Sequence, residues 1–283
     1  MSAEADWSWA GPPVDLRPLF PVERAEFTGL LRGLDPADWE RATVCPGWQV
    51  HDVVAHVLHD YIRKLSGSRD GQAMAGPEPG ESLPAYLARA NQDFVDTAAS
   101  WSPRVLTDLI GHLGPQLDEL WAGQDLDRPG WTVSWADPDR PAPVWLDVAR
   151  EYTEYWVHQQ QVRDAVGRPG ADGQRLARPV TDTFLRAVPY TLRERPAPPG
   201  TALHIRVTGP GGGDWTALRR PDTWAVDSGA PGGRPAARVE ISSDGLWRVA
   251  TRGIAVDDAL RQATISGDQV LGAAVLHLVS IVR

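Results

Sequence analysis

Cysteine is almost absent: Cys45 stands alone in 283 residues. One thiol can form no internal disulfide and no Cys-x-x-Cys zinc or redox pair, so any metal must be held by histidine and carboxylate. Lysine is as scarce, Lys64 being the only one, and there is no basic excess to replace it: 28 basic residues face 37 acidic ones, for a formal charge of -9. That balance excludes a chain-wide electrostatic footprint for nucleic acid or an anionic membrane. No run of about 18 apolar residues exists to span a bilayer, and Met1-Ser2-Ala3-Glu4-Ala5-Asp6 lacks the basic-then-apolar order of a signal peptide. A cytoplasmic protein acting on small molecules, with neither nucleic acid nor membrane as partner, is the expectation.

What is present is apolar and aromatic. Hydrophobic residues make up 42% of the chain, enough for a core in each of the two domains that this length suggests at roughly 150 residues per domain. Ten of the 13 tryptophans precede residue 160, which points to two differently built halves.

The first half has helical periodicity. Apolar residues three or four apart predict helices over 16–34, 50–65, 82–99 and 102–122, the last opening on Ser102-Pro103 and closing at Gly123. After a Trp- and Pro-punctuated loop over 131–143, a long amphipathic helix is predicted over 144–166, ending at Gly167. This is a bundle of about four main helices with one long crossover, an architecture that places metal sites between facing helices. Beyond the polar stretch 167–178 the period changes. A helix is predicted over 181–192 and strands over 202–207, 215–218, 224–226 and 237–241, after which the segments 244–251 and 263–266 lead to a last helix over 268–282. The domains are therefore drawn at residues 1–172, all-α, and 173–283, α+β.

Glu154 and His158 lie four apart on the long helix and project from one face, one turn apart. A histidine and a carboxylate so placed, with a third ligand from a facing helix, can hold a catalytic divalent metal. His56 is the best third ligand because it sits mid-helix among core residues; His59, about 60° around the same helix, competes with it, and His51 points elsewhere. Cys45 and Trp48 are read as a structural turn and the lead-in to the second helix, and Asp52 as support for its first turn.

The segments Thr43-Val44-Cys45-Pro46-Gly47-Trp48-Gln49-Val50-His51-Asp52-Val53-Val54-Ala55-His56-Val57 and Glu154-Tyr155-Trp156-Val157-His158-Gln159-Gln160-Gln161-Val162-Arg163-Asp164-Ala165 resemble the two signatures of the mycothiol-dependent maleylpyruvate isomerase family, within the DinB-like metal-binding superfamily. The stretch from Gly245 to Val282 is similar to that family's small C-terminal domain. The resemblance implies a DinB-like four-helix bundle followed by a sterol-carrier-like α+β domain, with His56, Glu154 and His158 as ligands to a divalent metal, usually zinc. Relatives often carry an acidic residue after the ligand histidine, where this chain has Gln159, Gln160 and Gln161.

The resemblance further implies an arginine of the C-terminal domain near the active site. Arg220 is the first choice for it because it follows a predicted strand, Arg206 the second, with Arg219 and Arg238 competing. The implied reaction is metal-assisted activation of a low-molecular-weight thiol, mycothiol, for addition to a small electrophile. The protein would then be either an S-transferase or a thiol-assisted cis-trans isomerase, working as a monomer or homodimer. The alternative is a non-catalytic ligand-binding or regulatory protein on the same fold.

Overall fold

The structure, a computed structural model, describes residues 7–72 and 75–280. The N-terminal hexapeptide and the last residues of the predicted closing helix, Ile281 and Val282, lie outside the described residues.

The chain divides into two compact units, each discontinuous in sequence. One contains Arg17–Gln124 and Glu154–Ala171; the other runs up to Leu16, takes in Asp125–Thr153 and resumes at Asp172. The chain therefore crosses between units four times, whereas the sequence reading draws one boundary after residue 172. The long helix is shared: its first half belongs to one unit and its second half to the other.

The helical unit is built from α1 (Phe20–Arg32), α2 (Val50–Lys64), α3 (Leu83–Ala98), α4 (Pro103–Ala122) and the second half of α5 (Val144–Val166). Local chemistry sets the ends. Ser82 and Ser102 each accept, through Oγ, the amide three residues on, and a proline follows in the first turn. At α2 the Gln49 amide donates to Asp52 Oδ2 at 2.9 Å, the first-turn support expected of Asp52. Val53, Val54, Val57 and Leu58 of α2 are fully buried with Phe27 and Leu31 of α1, Leu106 and Ile110 of α4 and Val157 of α5. One close approach needs a glycine: a Cβ on Gly114 would fall 2.2 Å from Arg24 Cδ, the side chain by which α1 holds Asp118 of α4.

In the other unit, α6 (Gln174–Leu185), α7 (Val188–Thr191), α8 (Ser243–Ala250), α9 (Val256–Gln262) and α10 (Gln269–Val275) accompany a five-stranded sheet. The strands are β1 (Ala202–Thr208), β2 (Gly213–Arg219), β3 (Trp224–Ser228), β4 (Ala237–Ser242) and β5 (Thr264–Gly267), in the order β3-β2-β1-β4-β5. All neighbours are antiparallel except β1 and β4. Period-two alternation puts Leu203, Ile205 and Val207 in register with Ala237, Val239 and Ile241, all buried, while Arg206 and Glu240 pair on the opposite, open face.

Three element predictions need correction. The helix expected from residue 181 begins at Gln174, because Gly173 starts it and Pro179 is tolerated inside it. The segment 256–262, not assigned in the sequence, is α9, and the closing helix stops at Val275 rather than near 282. Among the described residues no helix is long and apolar enough to cross a membrane.

Candidate metal centre

The helical unit brings together the three residues that the sequence singles out. His56 projects from the middle of α2, Glu154 and His158 from successive turns of α5, and their ligand atoms all lie within 4.8 Å of one another. Glu154 Oε1 stands 3.2 Å from His158 Nε2 and 3.8 Å from His56 Nε2, and the two imidazoles meet edge to face at 4.7 Å. Donors bound at about 2.0–2.1 Å to one tetrahedral ion stand about 3.3 Å apart, so the cluster has the spacing of a shared cation. The other ring nitrogen of His56, Nδ1, is buried with no hydrogen-bond partner. Two imidazoles and one carboxylate suit a borderline divalent ion such as zinc.

The electrostatics favour a charged carboxylate. Burial opposes ionisation of Glu154, but hydrogen bonding from the two imidazoles outweighs it and holds the group well below the usual carboxylate range. Burial likewise disfavours a proton on both histidines; at His56 it prevails and the pKa is lowered, while at His158 the bond to Glu154 overcomes it and the pKa is raised. Both histidines also feel the negative charge of Asp60. Asp60 Oδ2 accepts the Tyr155 hydroxyl at 2.7 Å and Oδ1 accepts Arg63 at 2.9 Å.

The competing histidines are engaged elsewhere. His59 stacks on Phe94 at 4.5 Å with planes 9° apart, and burial together with the Arg63 guanidinium pushes its pKa down to about 4. His51 Nε2 lies 2.9 Å from the Trp101 carbonyl. Trp48 is more than a lead-in: its ring lies 5.2 Å from that of His56, and its indole N–H donates to Gln92. Cys45 does sit in a turn, its carbonyl accepting the Trp48 amide at 3.0 Å beside Gly47 at φ +80°. Its Sγ also reaches Gln161 Oε1, a contact hidden in the sequence because the two residues are 116 positions apart.

The arginines belong to the sheet unit. Arg206 faces Glu240 at 3.6 Å on the open face, and Arg220 lies in the turn between β2 and β3, 3.9 Å from Asp227. Both are about half exposed. A separate groove of about 630 Å³ in this unit is lined by Arg234 and Arg238 with Thr201 and Ser266, not by Arg206 or Arg220.

Comparison with known proteins places this architecture. Residues 20–163, just over half of the chain and including all three donors, match the family described as the mycothiol maleylpyruvate isomerase N-terminal domain. Among solved structures, a mutant of a mycothiol-dependent maleylpyruvate isomerase aligns over 91% of this chain and 95% of its own, at 16% identity and a TM-score of 0.54. Another structure of such an isomerase aligns over 85% and 90%, at 16% identity and a TM-score of 0.51. No curated protein sequence matches. The helical region, the five-stranded domain after it and the matched segment carrying His56, Glu154 and His158 lead to one assignment: this chain belongs to the mycothiol-dependent maleylpyruvate isomerase family.

Proposed function

We propose that the protein is a metal-dependent enzyme that presents the thiol of mycothiol to a small electrophilic acid. The observation that carries this reading is the partly buried His56, Glu154 and His158 cluster, in which three donors converge within 4.8 Å. A divalent ion held there, zinc by its donor set, supplies a Lewis acid that keeps a thiol deprotonated at neutral pH. His56 and His158 provide neutral nitrogen donors, and Glu154 provides one negative charge that leaves a bound cation net positive. The protein supplies no nucleophile of its own, because the sulfur comes from the cosubstrate. In the isomerase reading this sulfur adds to one carbon of a conjugated cis double bond, the resulting single bond rotates, and the sulfur leaves to restore the double bond as trans. In the S-transferase reading the carbon–sulfur bond remains and the neighbouring carbanion takes up a proton, so that S–H has added across the double bond. We further read the helical unit as a DinB-like four-helix bundle and the sheet unit as sterol-carrier-like.

The test is an assay of the zinc-loaded protein with mycothiol and a panel of cis-unsaturated acids. Thiol-dependent isomerisation or S-conjugate formation, abolished by a chelator and restored by zinc, is the expected result. Metal-loaded protein that binds an unsaturated acid but turns over none would instead favour a binding or regulatory role.

Arginine is the residue suited to holding the substrate carboxylate, through its bidentate fork. Arg220 and Arg206 are the proposed holders; each has only a loose acidic partner, at 3.9 and 3.6 Å, that an anionic ligand can displace. Arg220→Ala and Arg206→Ala should leave stability within about 1 kcal/mol, since exposed substitutions cost little. At least one should lower kcat/KM for an anionic substrate by about tenfold or more, or ~1.4 kcal/mol of transition-state stabilisation. Undiminished turnover in both variants would remove Arg220 and Arg206 from this role and leave Arg238, in the groove, as the next to test.

A further inference from the structure

The ring of His158 is held from behind. Its Nδ1 lies 2.8 Å from Oε1 of Gln161, three residues further along α5, and Cys45 Sγ lies 3.3 Å from the same oxygen. An amide oxygen only accepts hydrogen bonds, so His158 donates its Nδ1–H and Cys45 its S–H, one to each lone pair. With a proton held on Nδ1, Nε2 is the nitrogen turned toward Glu154, and its lone pair becomes available to a cation once the proton it now donates to Glu154 leaves. Gln161 is 4% exposed and His158 7%, so little water competes for the bond. The turn that delivers the thiol is itself fixed, since Thr43 Oγ1 accepts the Cys45 amide at 3.1 Å.

We infer, on the metal reading above, that Gln161 is the positioning residue of the centre and Cys45 its brace, and that the neutral amide at this position tunes the site. Metal-binding histidines pass their second N–H to an acceptor that fixes the ring and raises its basicity. A carboxylate acceptor does this most strongly, binding the cation tighter while draining its positive charge. An amide fixes the ring without that added basicity. Gln161 thus gives up some affinity and leaves the cation more able to acidify a thiol. Gln159 and Gln160 do not share the role: Gln159 donates to Glu23, and Gln160 to the Gly170 carbonyl.

The test is the zinc dissociation constant of the full-length protein, measured by competition with a chromogenic chelator, beside the melting temperature of the metal-free form. Gln161→Leu should weaken zinc binding by about 10- to 100-fold, and Gln161→Glu should bind several-fold tighter than the native protein. Cys45→Ala should weaken zinc binding several-fold and Cys45→Ser should not, because the hydroxyl restores the donor to Gln161. A general loss of packing would lower the melting temperature without this ordering of affinities. If Gln161→Leu does not fold, the glutamate and the two Cys45 variants still decide the matter. Native-like zinc affinity in Gln161→Leu, or in Gln161→Glu and Cys45→Ala together, would overturn the inference while leaving the metal centre in place. Absence of zinc binding by the native protein would overturn both.

Discussion

Replacing His158 with alanine should strip the protein of its metal and abolish thiol activation while leaving the fold intact. Among the described residues three side chains converge, and His158 is the one whose ring is held on both sides, by Glu154 at 3.2 Å and by Gln161 at 2.8 Å. Structural zinc sites of about four ligands contribute ~10–16 kcal/mol, or roughly 2.5–4 kcal/mol per ligand. Losing one ligand should therefore weaken binding by about two to three orders of magnitude. The variant also leaves Glu154 with one imidazole instead of two, and its carboxylate loses the largest of the interactions that hold it ionised against burial. Dialysis against buffered zinc followed by elemental analysis reads the result directly. Stoichiometric zinc in a folded His158→Ala protein would show that the ion, if any, sits elsewhere.

Glu23→Gln should stabilise the protein, and by an amount that grows with pH. Glu23 lies on α1, 1% exposed, where it accepts the Gln159 side-chain amide at 2.6 Å. Arg163 in turn donates to Gln159 at 3.0 Å. Burial pushes the Glu23 carboxyl up to about 7 from an ordinary 4.5, outweighing the opposing Gln159 bond and the nearby Arg24 and Arg163 charges. Below pH 4.5 the group is protonated in both folded and unfolded chains and contributes nothing. Between 4.5 and about 7 the unfolded chain gives up its proton while the folded one retains it, so stability falls by about 1.4 kcal/mol per pH unit and levels off above 7. A glutamine keeps the acceptor for Gln159 and carries no charge to desolvate. Urea unfolding should find the variant equal to the native protein at pH 4 and more stable by on the order of 3 kcal/mol at pH 8. A variant less stable at pH 8 would mean that the ionised carboxylate is stabilised by Arg24 and Arg163 after all.

Much of this was legible in the chain because it follows from helical periodicity. The four-residue spacing of Glu154 and His158 and the mid-helix setting of His56 locate the cluster before any coordinates. Serine caps and a closing glycine fix α3 and α4 almost to the residue. What stayed hidden depends on contacts distant in sequence. His56 could be preferred to His59 only weakly, since nothing local says that Phe94 will stack on His59. The bond from Gln161 to His158 is local, but its brace comes from Cys45, 116 residues away. The shared use of α5 by both units was invisible because amphipathic spacing reports that a face is buried, not which core buries it. Short elements fared worst: α9 spans seven residues with a single buried side chain, Ala259, and so carries no apolar stripe to read.

The central claim is that one divalent ion is held by His56, Glu154 and His158 and by no sulfur of the protein. X-ray absorption at the zinc edge of the stoichiometrically loaded native protein tests it most directly. One zinc per chain is expected, with a first shell of nitrogen and oxygen alone at about 2.0–2.1 Å. A protein that takes up no zinc, or a shell containing a sulfur at about 2.3 Å and therefore Cys45 as a ligand, would contradict it.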